Sequence, residues 1–325
     1  MTRGKSLLVL AAVAMAAGLL AAPALAADAP AKGEKVQLRL HLEKGKTYRI
    51  KMAIQQEITQ TIQGNKMDIA QTMGMEYTFD VSEVKDDGTM TVKVTYRTVQ
   101  MKMDGPTGKV DYDSSDPPDE IPKAARGLAA LVGQSFTLDL TPQGRVTRVE
   151  GIDAVLANMI QKLDLPDGAM KTMMESQLKK QFGDKAMRET MEQLMAMYPA
   201  KPVGIGDSWT MNVELSKSFP LKMENTYVLK DRKAGVAILD VKSVLTSDPK
   251  APPMKMGPIS ISYDLKGTQQ GQAEMDEATG WTLSSTLTQE FSGKMTMEGA
   301  PGMTEPLSWP VTAKSEITLS APEPE

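Results

Sequence analysis

Hydrophobic and polar residues alternate with a period of two over most of this chain. In TYRIKMAIQQEITQTI the residues Tyr48, Ile50, Met52, Ile54, Ile58 and Ile62 share one parity, while Arg49, Lys51 and Gln55 take the other. Successive side chains of a strand point to opposite faces, so the pattern predicts a long antiparallel strand with one wet face. MEYTFDVSEV and TMTVKVTYRTV stand on either side of Asp87-Gly88, which predicts two strands joined by a hairpin turn. Further strands are predicted at 134–140, 145–150, 207–215, 223–230, 235–246, 258–275, 281–298 and 307–319.

The period changes in the middle. IDAVLANMIQKL places Ile152, Val155, Leu156, Met159, Ile160 and Leu163 on one helical face. A second helical stretch from Gly168 to Tyr198 carries Met170, Met174 and Leu178, then Met187, Met191, Leu194 and Met195, with a break at Gly183-Asp184. Pro166 separates the two, and YPAKPVG ends the section. Strands, then helices, then strands again predict an α+β fold. Its long antiparallel strands would form one or two curved, half-barrel-like sheets with two or three central helices packed on them. The alternative is an all-β sandwich with a helical insertion.

The first 26 residues change the domain count. Arg3 and Lys5 precede an apolar run from Leu7 to Leu20, and Ala24-Leu25-Ala26 supplies the small residues of a cleavage site. Residues 1–26 are therefore expected to be a signal peptide, with a mature start at Ala27 and a periplasmic or secreted product. Residues 27–35 and 321–325 are expected to be disordered. Residues 36–320 would form one β-rich domain containing the helical segment 152–198, divisible into halves 36–150 and 203–320. No membrane span is predicted after the leader.

Removing Arg3 and Lys5 from the 37 basic residues leaves 35 against 41 acidic ones, a net of −6 where the full chain has −4. This acidic balance argues against nucleic acid as a partner. The chain has no cysteine and one histidine, so it has no disulfides, no thiol catalysis and no zinc site of the usual nitrogen and sulfur type. His41 lies in LRLHLEKG on the parity opposite Leu38, Leu40 and Leu42, as an exposed strand residue would.

Gly206-Asp207-Ser208 is similar to the serine block of secreted Gly-Asp-Ser-Leu esterases. However, it also belongs to a repeat: Gly45-Lys46-Thr47-Tyr48, Gly133-Gln134-Ser135-Phe136 and Gly206-Asp207-Ser208-Trp209 all read glycine, any residue, hydroxyl, aromatic. Glycine supplies a turn conformation, and the aromatic starts the buried side of the pleat. A nucleophilic serine needs a histidine base, which that esterase family keeps downstream of the serine, and His41 lies upstream. Gly206, Ser208 and Trp209 are therefore assigned to the start of a strand, and no catalytic residue is predicted.

The acidic loop DYDSSDPPDEIP offers Asp111, Asp113 and Asp116 as candidate calcium ligands, but it lacks the glycine and glutamate of an EF-hand loop. Methionine is frequent, with 25 residues and Met-x-Met pairs at 73/75, 101/103, 195/197, 254/256 and 295/297. Thioethers suit Cu(I), yet the pairs are dispersed and no histidine accompanies them. Methionine here fills irregular gaps or forms an adaptable apolar surface.

GDSW, YDSSDP at 112–117, TPQGRVTRVEG at 141–151 and EMDEATGWTLSS at 274–285 together resemble an uncharacterised family of secreted bacterial domains of unknown function, over roughly residues 36–320. That resemblance implies an exported, β-rich protein and carries over no catalytic residue. The expected function is that of an exported, soluble, non-catalytic binding protein. It would hold an apolar small molecule or an envelope protein between sheet and helices, at a groove of Met170, Met174, Met187, Met191 and Met195. No cofactor is predicted. A structural envelope module without ligand, or an enzyme using carboxylates or a metal, is the alternative.

Overall fold

Two-residue turns set the architecture. Gln63 and Gly64 have φ of 50° and 80°, and Ala234 and Gly235 have 56° and 78°. Two successive positive values are what the tightest hairpin connection needs, because their twist matches that of the flanking strands. In the computed structural model these turns join β1 (Thr47–Ile62) to β2 (Asn65–Val84) and β8 (Leu221–Lys233) to β9 (Val236–Ser247). The structure describes residues 34–106, 108–162, 197–214, 221–248, 253–256, 259–300 and 303–322, with single positions between 168 and 188.

The remaining strands are β3 (Met90–Gly105), β4 (Gly108–Asp113), β5 (Ser135–Leu140), β6 (Val146–Glu150), β7 (Ser208–Glu214), β10 (Met254–Met256), β11 (Ile259–Asp276), β12 (Thr282–Glu298) and β13 (Leu307–Ser320). All thirteen form one antiparallel sheet in the order β6-β5-β3-β2-β1-β13-β12-β11-β9-β8-β7, with β4 beside β3 and β10 beside β11. Two meandering arms thus meet where β1 pairs β13, with Ile54 opposite Ile317. Among the described residues the outer strands β6 and β7 do not pair with each other.

This corrects the expected α+β arrangement of a sheet carrying two or three central helices. The protein is close to all-β, and it is one sheet rather than a two-sheet sandwich, because short turns keep sequence neighbours side by side and β1–β13 pairing fuses the arms. The described helices are α1 (Arg126–Ala129) and α2 (Ile152–Gln161), preceded by a 3-10 turn at Lys123–Ala125. α2 buries Ile152, Val155, Leu156 and Ile160 and packs beside β5 at one end of the sheet. Most of the expected second helical stretch lies outside the described residues, although Thr172, Glu175, Ser176, Lys179, Asp184, Met187 and Arg188 are helical. The amide of Ile152 donates to Asp184 Oδ1 at 2.7 Å, and the amide of Asp184 donates to Asp153 Oδ1 at 3.2 Å. Each aspartate thereby satisfies a backbone donor of the other segment.

The glycine-hydroxyl-aromatic repeat recurs as one geometry. Gly45, Gly133 and Gly206 have φ of 79°, 78° and 92°. Their amides donate to the carbonyls of Val81, Tyr96 and Leu229, whose own amides donate back to the carbonyls of Lys46, Gln134 and Asp207. Two residues after each glycine a strand begins, at Thr47, Ser135 and Ser208. The next residue is the aromatic, and Tyr48, Phe136 and Trp209 all pack on the main core.

The chain before β1 is not a strand of the sheet. Leu38, Leu40 and Leu42 are buried and His41 is exposed, so the alternation holds. However, this extended segment runs across turns instead of along a neighbour. The amide of Leu40 donates to Pro142 O, that of His41 to Thr279 O, and Val36 bridges Val203. A buried ion pair anchors the same end: Arg232 donates to both oxygens of Glu277 at 2.7 and 2.8 Å and to the carbonyl of Glu34 at 2.9 Å.

Asp139 on β5 is a second buried charge. It accepts two hydrogen bonds from Arg148 at 3.0 Å and one from Thr91 Oγ1 at 2.8 Å, with Lys85 Nζ at 3.4 Å. The Arg148 hydrogen bonds, aided by Thr91 and Lys85, hold its carboxyl below the usual range despite burial. A folded-state pKa below the unfolded value of about 3.9 gives stability that is present above that value and lost as pH falls through the folded one. Asp139→Asn should therefore lower the urea midpoint at pH 7, with a deficit that shrinks below about pH 4. A deficit equal at pH 7 and pH 3 would contradict this.

Candidate ligand-binding face

One face of the sheet is buried, and cross-strand register sorts its side chains into rows. Ile54, Ile317, Leu287, Val241 and Tyr227 line up on successive strands, with Gly271 between Leu287 and Val241. Four residues further along β1, a second apolar row contains Ile69, Ile58, Ala313, Phe291, Leu245 and Met223, with Gly267 between Phe291 and Leu245. The first row belongs to the main core, together with α2 and the 38–42 segment. The second begins a separate distal tract of Ile58, Ile69, Val311 and Ala313, with half-buried Met103, Leu265, Phe291 and Met295. Ile62, Ile261, Met297 and Trp309 continue it. Among the described residues no helix contributes to the distal clusters.

Between the two rows lies a line of uncharged polar residues. Gln71, Gln56, Ser315, Gln289, Gln269, Ser243 and Asn225 stand opposite one another on seven consecutive strands. Every one of them is buried, with 2 to 8% of its surface exposed. Met103 closes the line at the β3 side and Met211 at the β7 side. At a strand spacing of about 4.8 Å the polar row spans roughly 29 Å.

The row is only partly self-satisfied. Gln56 Nε2 donates to Ser315 Oγ at 2.9 Å, and Gln289 Nε2 donates to Gln269 Oε1 at 3.2 Å. Three buried side-chain atoms among the described residues have no partner: Gln56 Oε1, Ser243 Oγ and Ser285 Oγ. Two of the three lie in this row. An unpaired buried acceptor costs about 1 to 3 kcal/mol, so two in one line are not neutral packing.

The face is also kept free of charge. Burial pushes the Tyr227 hydroxyl well above its ordinary value and Tyr263, beside the distal tract, up to about 12. A tyrosine hydroxyl is neutral at physiological pH even at its ordinary value of about 10, so these shifts do not alter the charge of the face. β11 runs close against β12 here, since a β-carbon at Gly267 would meet Glu290 O and Phe291, and one at Gly271 would meet Thr286 O. Glycine inside a strand permits such a close backbone approach.

The opposite face carries shallow depressions of about 700 and 780 Å³, lined by residues such as Glu57, Lys102, Lys314 and Glu316. Several of their charges are already paired, Lys102 with Asp111, Lys109 with Asp104 and Lys314 with Glu290. Exposed pairs of this kind are salt-screened and weak.

The sequence-derived candidates fall elsewhere. Met187 is half-buried against the main core. Met170, Met174, Met191 and Met195 lie outside the described residues. Asp111 faces Lys102 at 3.3 Å, Asp113 accepts from Gln100 Nε2 at 3.0 Å and from the amide of Ser115, and Asp116 is exposed. Among the described residues no three His, Cys, Asp or Glu side chains come together as metal ligands would. Ser208 opens β7, and the next residue, Trp209, stacks on Tyr227 with ring centroids 5.5 Å apart and donates its indole N–H to Met197 O at 2.8 Å. Sequence reasoning missed the polar row. Its one visible signal is a glutamine in the apolar parity, as in Ile54-Gln56-Ile58.

The sequence model of a family of unknown function (DUF6263) matches residues 87–282, a shorter span than the 36–320 expected. No curated protein matches the chain. Among solved structures, lipovitellin is 9% identical over 86% of this chain and 25% of its own, with a TM-score of 0.42. This chain thus spans a quarter of the lipovitellin chain. DynF from the dynemicin biosynthesis pathway of Micromonospora chersina is 7% identical over 92% of this chain and 93% of its own, with a TM-score of 0.19. An outer membrane channel from Pseudomonas putida F1 is 8% identical over 86% and 96%, with a TM-score of 0.20. At such scores none of these structures carries its ligand or its location over to this chain.

Proposed function

We propose that this chain, which belongs to the family of unknown function DUF6263, is an exported, non-catalytic binding protein that holds an apolar molecule against the distal tract of its sheet. One observation carries the reading. The buried face continues past the polar row into apolar clusters of strand and loop residues, edged by half-buried Met67, Met103, Met295 and Met303. A domain ordinarily has one contiguous core with smaller satellite clusters under long loops, whereas these clusters are built mainly from strands. Here the main core already seats α2 and the N-terminal segment, and the distal tract extends the apolar wall along β1 from Ile58 to Ile62 and along β12 to Met297. Methionine edges adapt their shape to an apolar guest. Export rests on the basic start, apolar run and Ala24-Leu25-Ala26 of the sequence.

Nile red, an uncharged solvatochromic dye, tests the reading. Its emission should shift to the blue on titration with the protein, saturate at one dye per chain, and weaken at least tenfold in Ala313→Trp, which fills the distal tract beside Phe291. An unsaturable response, or one unchanged in Ala313→Trp when that variant keeps its thermal midpoint, would refute it.

A further inference from the structure

We infer that the half-exposed methionines of β1, β2 and β3 form a binding site for a soft monovalent cation, Cu(I). The inference does not rest on the apolar guest proposed above.

Strand register gathers residues that the chain keeps apart. Met73 of β2 stands directly opposite Met101 of β3, and Met75 of β2 stands opposite Met52 of β1. Met103, two residues beyond Met101, faces Gln71. The Met-x-Met pairs 73/75 and 101/103 therefore lie side by side, with Met73 and Met101 at the centre of the group. Residues directly opposite in a sheet have β-carbons about 4.5 to 5.5 Å apart, and diagonal neighbours are about 7 to 8 Å apart. A methionine sulfur lies beyond its β-carbon on a side chain with freely rotating bonds, so thioethers at such positions can converge on one ion.

Access and charge both suit such an ion. All five methionines are partly exposed, whereas Ile54, Ile317 and Leu287, which continue the Met101–Met73 row across the sheet, are buried. An ion held directly by sulfur needs no separate cavity. The neighbours on the same face include Ile54, Gln71, Val99 and Tyr112, none of which is an anion. Calcium or zinc would meet no carboxylate, thiolate or imidazole among them. Thioether sulfur is uncharged and polarisable, and it selects Cu(I).

Met75 is already held in place. Tyr77 Oη donates to Met75 Sδ at 2.8 Å. A thioether sulfur has two lone pairs, so this hydrogen bond fixes the side chain and leaves one pair for a metal. Residue choice points the same way. Methionine is not among the residues that favour strands, and further along the Met101–Met73 row the places are taken by Ile54, Ile317, Leu287 and Val241.

The test is competition for Cu(I) between the full chain and bicinchoninate, a chromophoric Cu(I) chelator, under anaerobic reducing conditions. The chain should withdraw one Cu(I) from the chelator, and Met73→Leu combined with Met101→Leu should weaken its affinity at least tenfold. Leucine is close to methionine in volume, so the thermal midpoint should hold. Met295→Leu on β12 should leave the affinity within about twofold. Copper K-edge X-ray absorption should show sulfur alone in the first shell. Failure to withdraw Cu(I), an affinity within about twofold in the double variant, or a nitrogen neighbour contributed by His41 would each overturn the inference. The second of these results would mean that scattered thioethers take up the metal adventitiously. Should the double variant unfold, methionine-methyl NMR of the unsubstituted chain decides. Cu(I) should shift the methyl resonances of Met73 and Met101, and shifts confined to other methionines would overturn the inference.

Discussion

Gly280→Ala is expected to destabilise the fold by about 2 to 5 kcal/mol. Gly280 ends the β11–β12 turn with φ of 67°, a conformation that costs an ordinary residue about 1 to 2 kcal/mol. An added β-carbon would also lie against the backbone of Arg39 and Leu40. Neither partner can yield easily, since Leu40 and its neighbours are threaded between turns, and the Gly280 carbonyl already accepts from Tyr198 Oη at 2.9 Å. Gly45→Ala provides the control: it has φ of 79° and open space around the new methyl, so it should cost only the conformational part. Urea midpoints for both variants separate the two effects. Equal losses would mean that the 36–42 segment does not press on this turn.

Glu277→Ala should cost about 3 to 5 kcal/mol, because it leaves the Arg232 guanidinium buried without a counter-charge. The pair is bidentate, and both side chains are largely excluded from solvent at 8 and 15% exposure. A guanidinium is not deprotonated in proteins even without a partner, so the arginine cannot escape by losing its charge once Glu277 is gone. Replacing both partners, Arg232→Met with Glu277→Leu, removes the charge along with the attraction and should recover most of the loss, since buried pairs are often no better than well-packed apolar residues. The exception is the Glu34 carbonyl, which loses its Arg232 donor in the double variant only. A double variant as unstable as Glu277→Ala would show that the anchoring of the N-terminal segment, rather than the ion pair, is what matters.

Legibility differed by element for physical reasons. The strand read at 235–246 and observed at Val236–Ser247 alternates in burial from Ala237 onward and has a turn pair at its start, so local signals suffice. The first half of β2, Asn65 to Gly74, was not foreseen. NKMDIAQTMG is poor in the branched and aromatic residues that favour strands, and it is extended because a two-residue turn zips it to β1. The helical period read from Ile152 corresponds to α2 (Ile152–Gln161), yet period alone does not say how much of a sheet a helix covers. α2 sits at one end beside β5. The polar row was the least legible feature. Each member is a single polar residue in an apolar parity, and only pairings such as Gln56 with Ser315, far apart in the chain, bring them into line.

The join between β1 and β13 has a consequence for how the chain is made. β1 and β2 are local and can zip within microseconds. The other edge of β1 has to wait until residues 307–320 have been synthesised. At about 5 to 20 residues per second that interval is on the order of ten to fifty seconds. During it a sixteen-residue strand with Ile50, Ile54, Ile58 and Ile62 on one face presents an open hydrogen-bonding edge, the kind of template on which other chains aggregate. Until residues 307–320 arrive, that edge of the nascent protein is open to pairing with other chains.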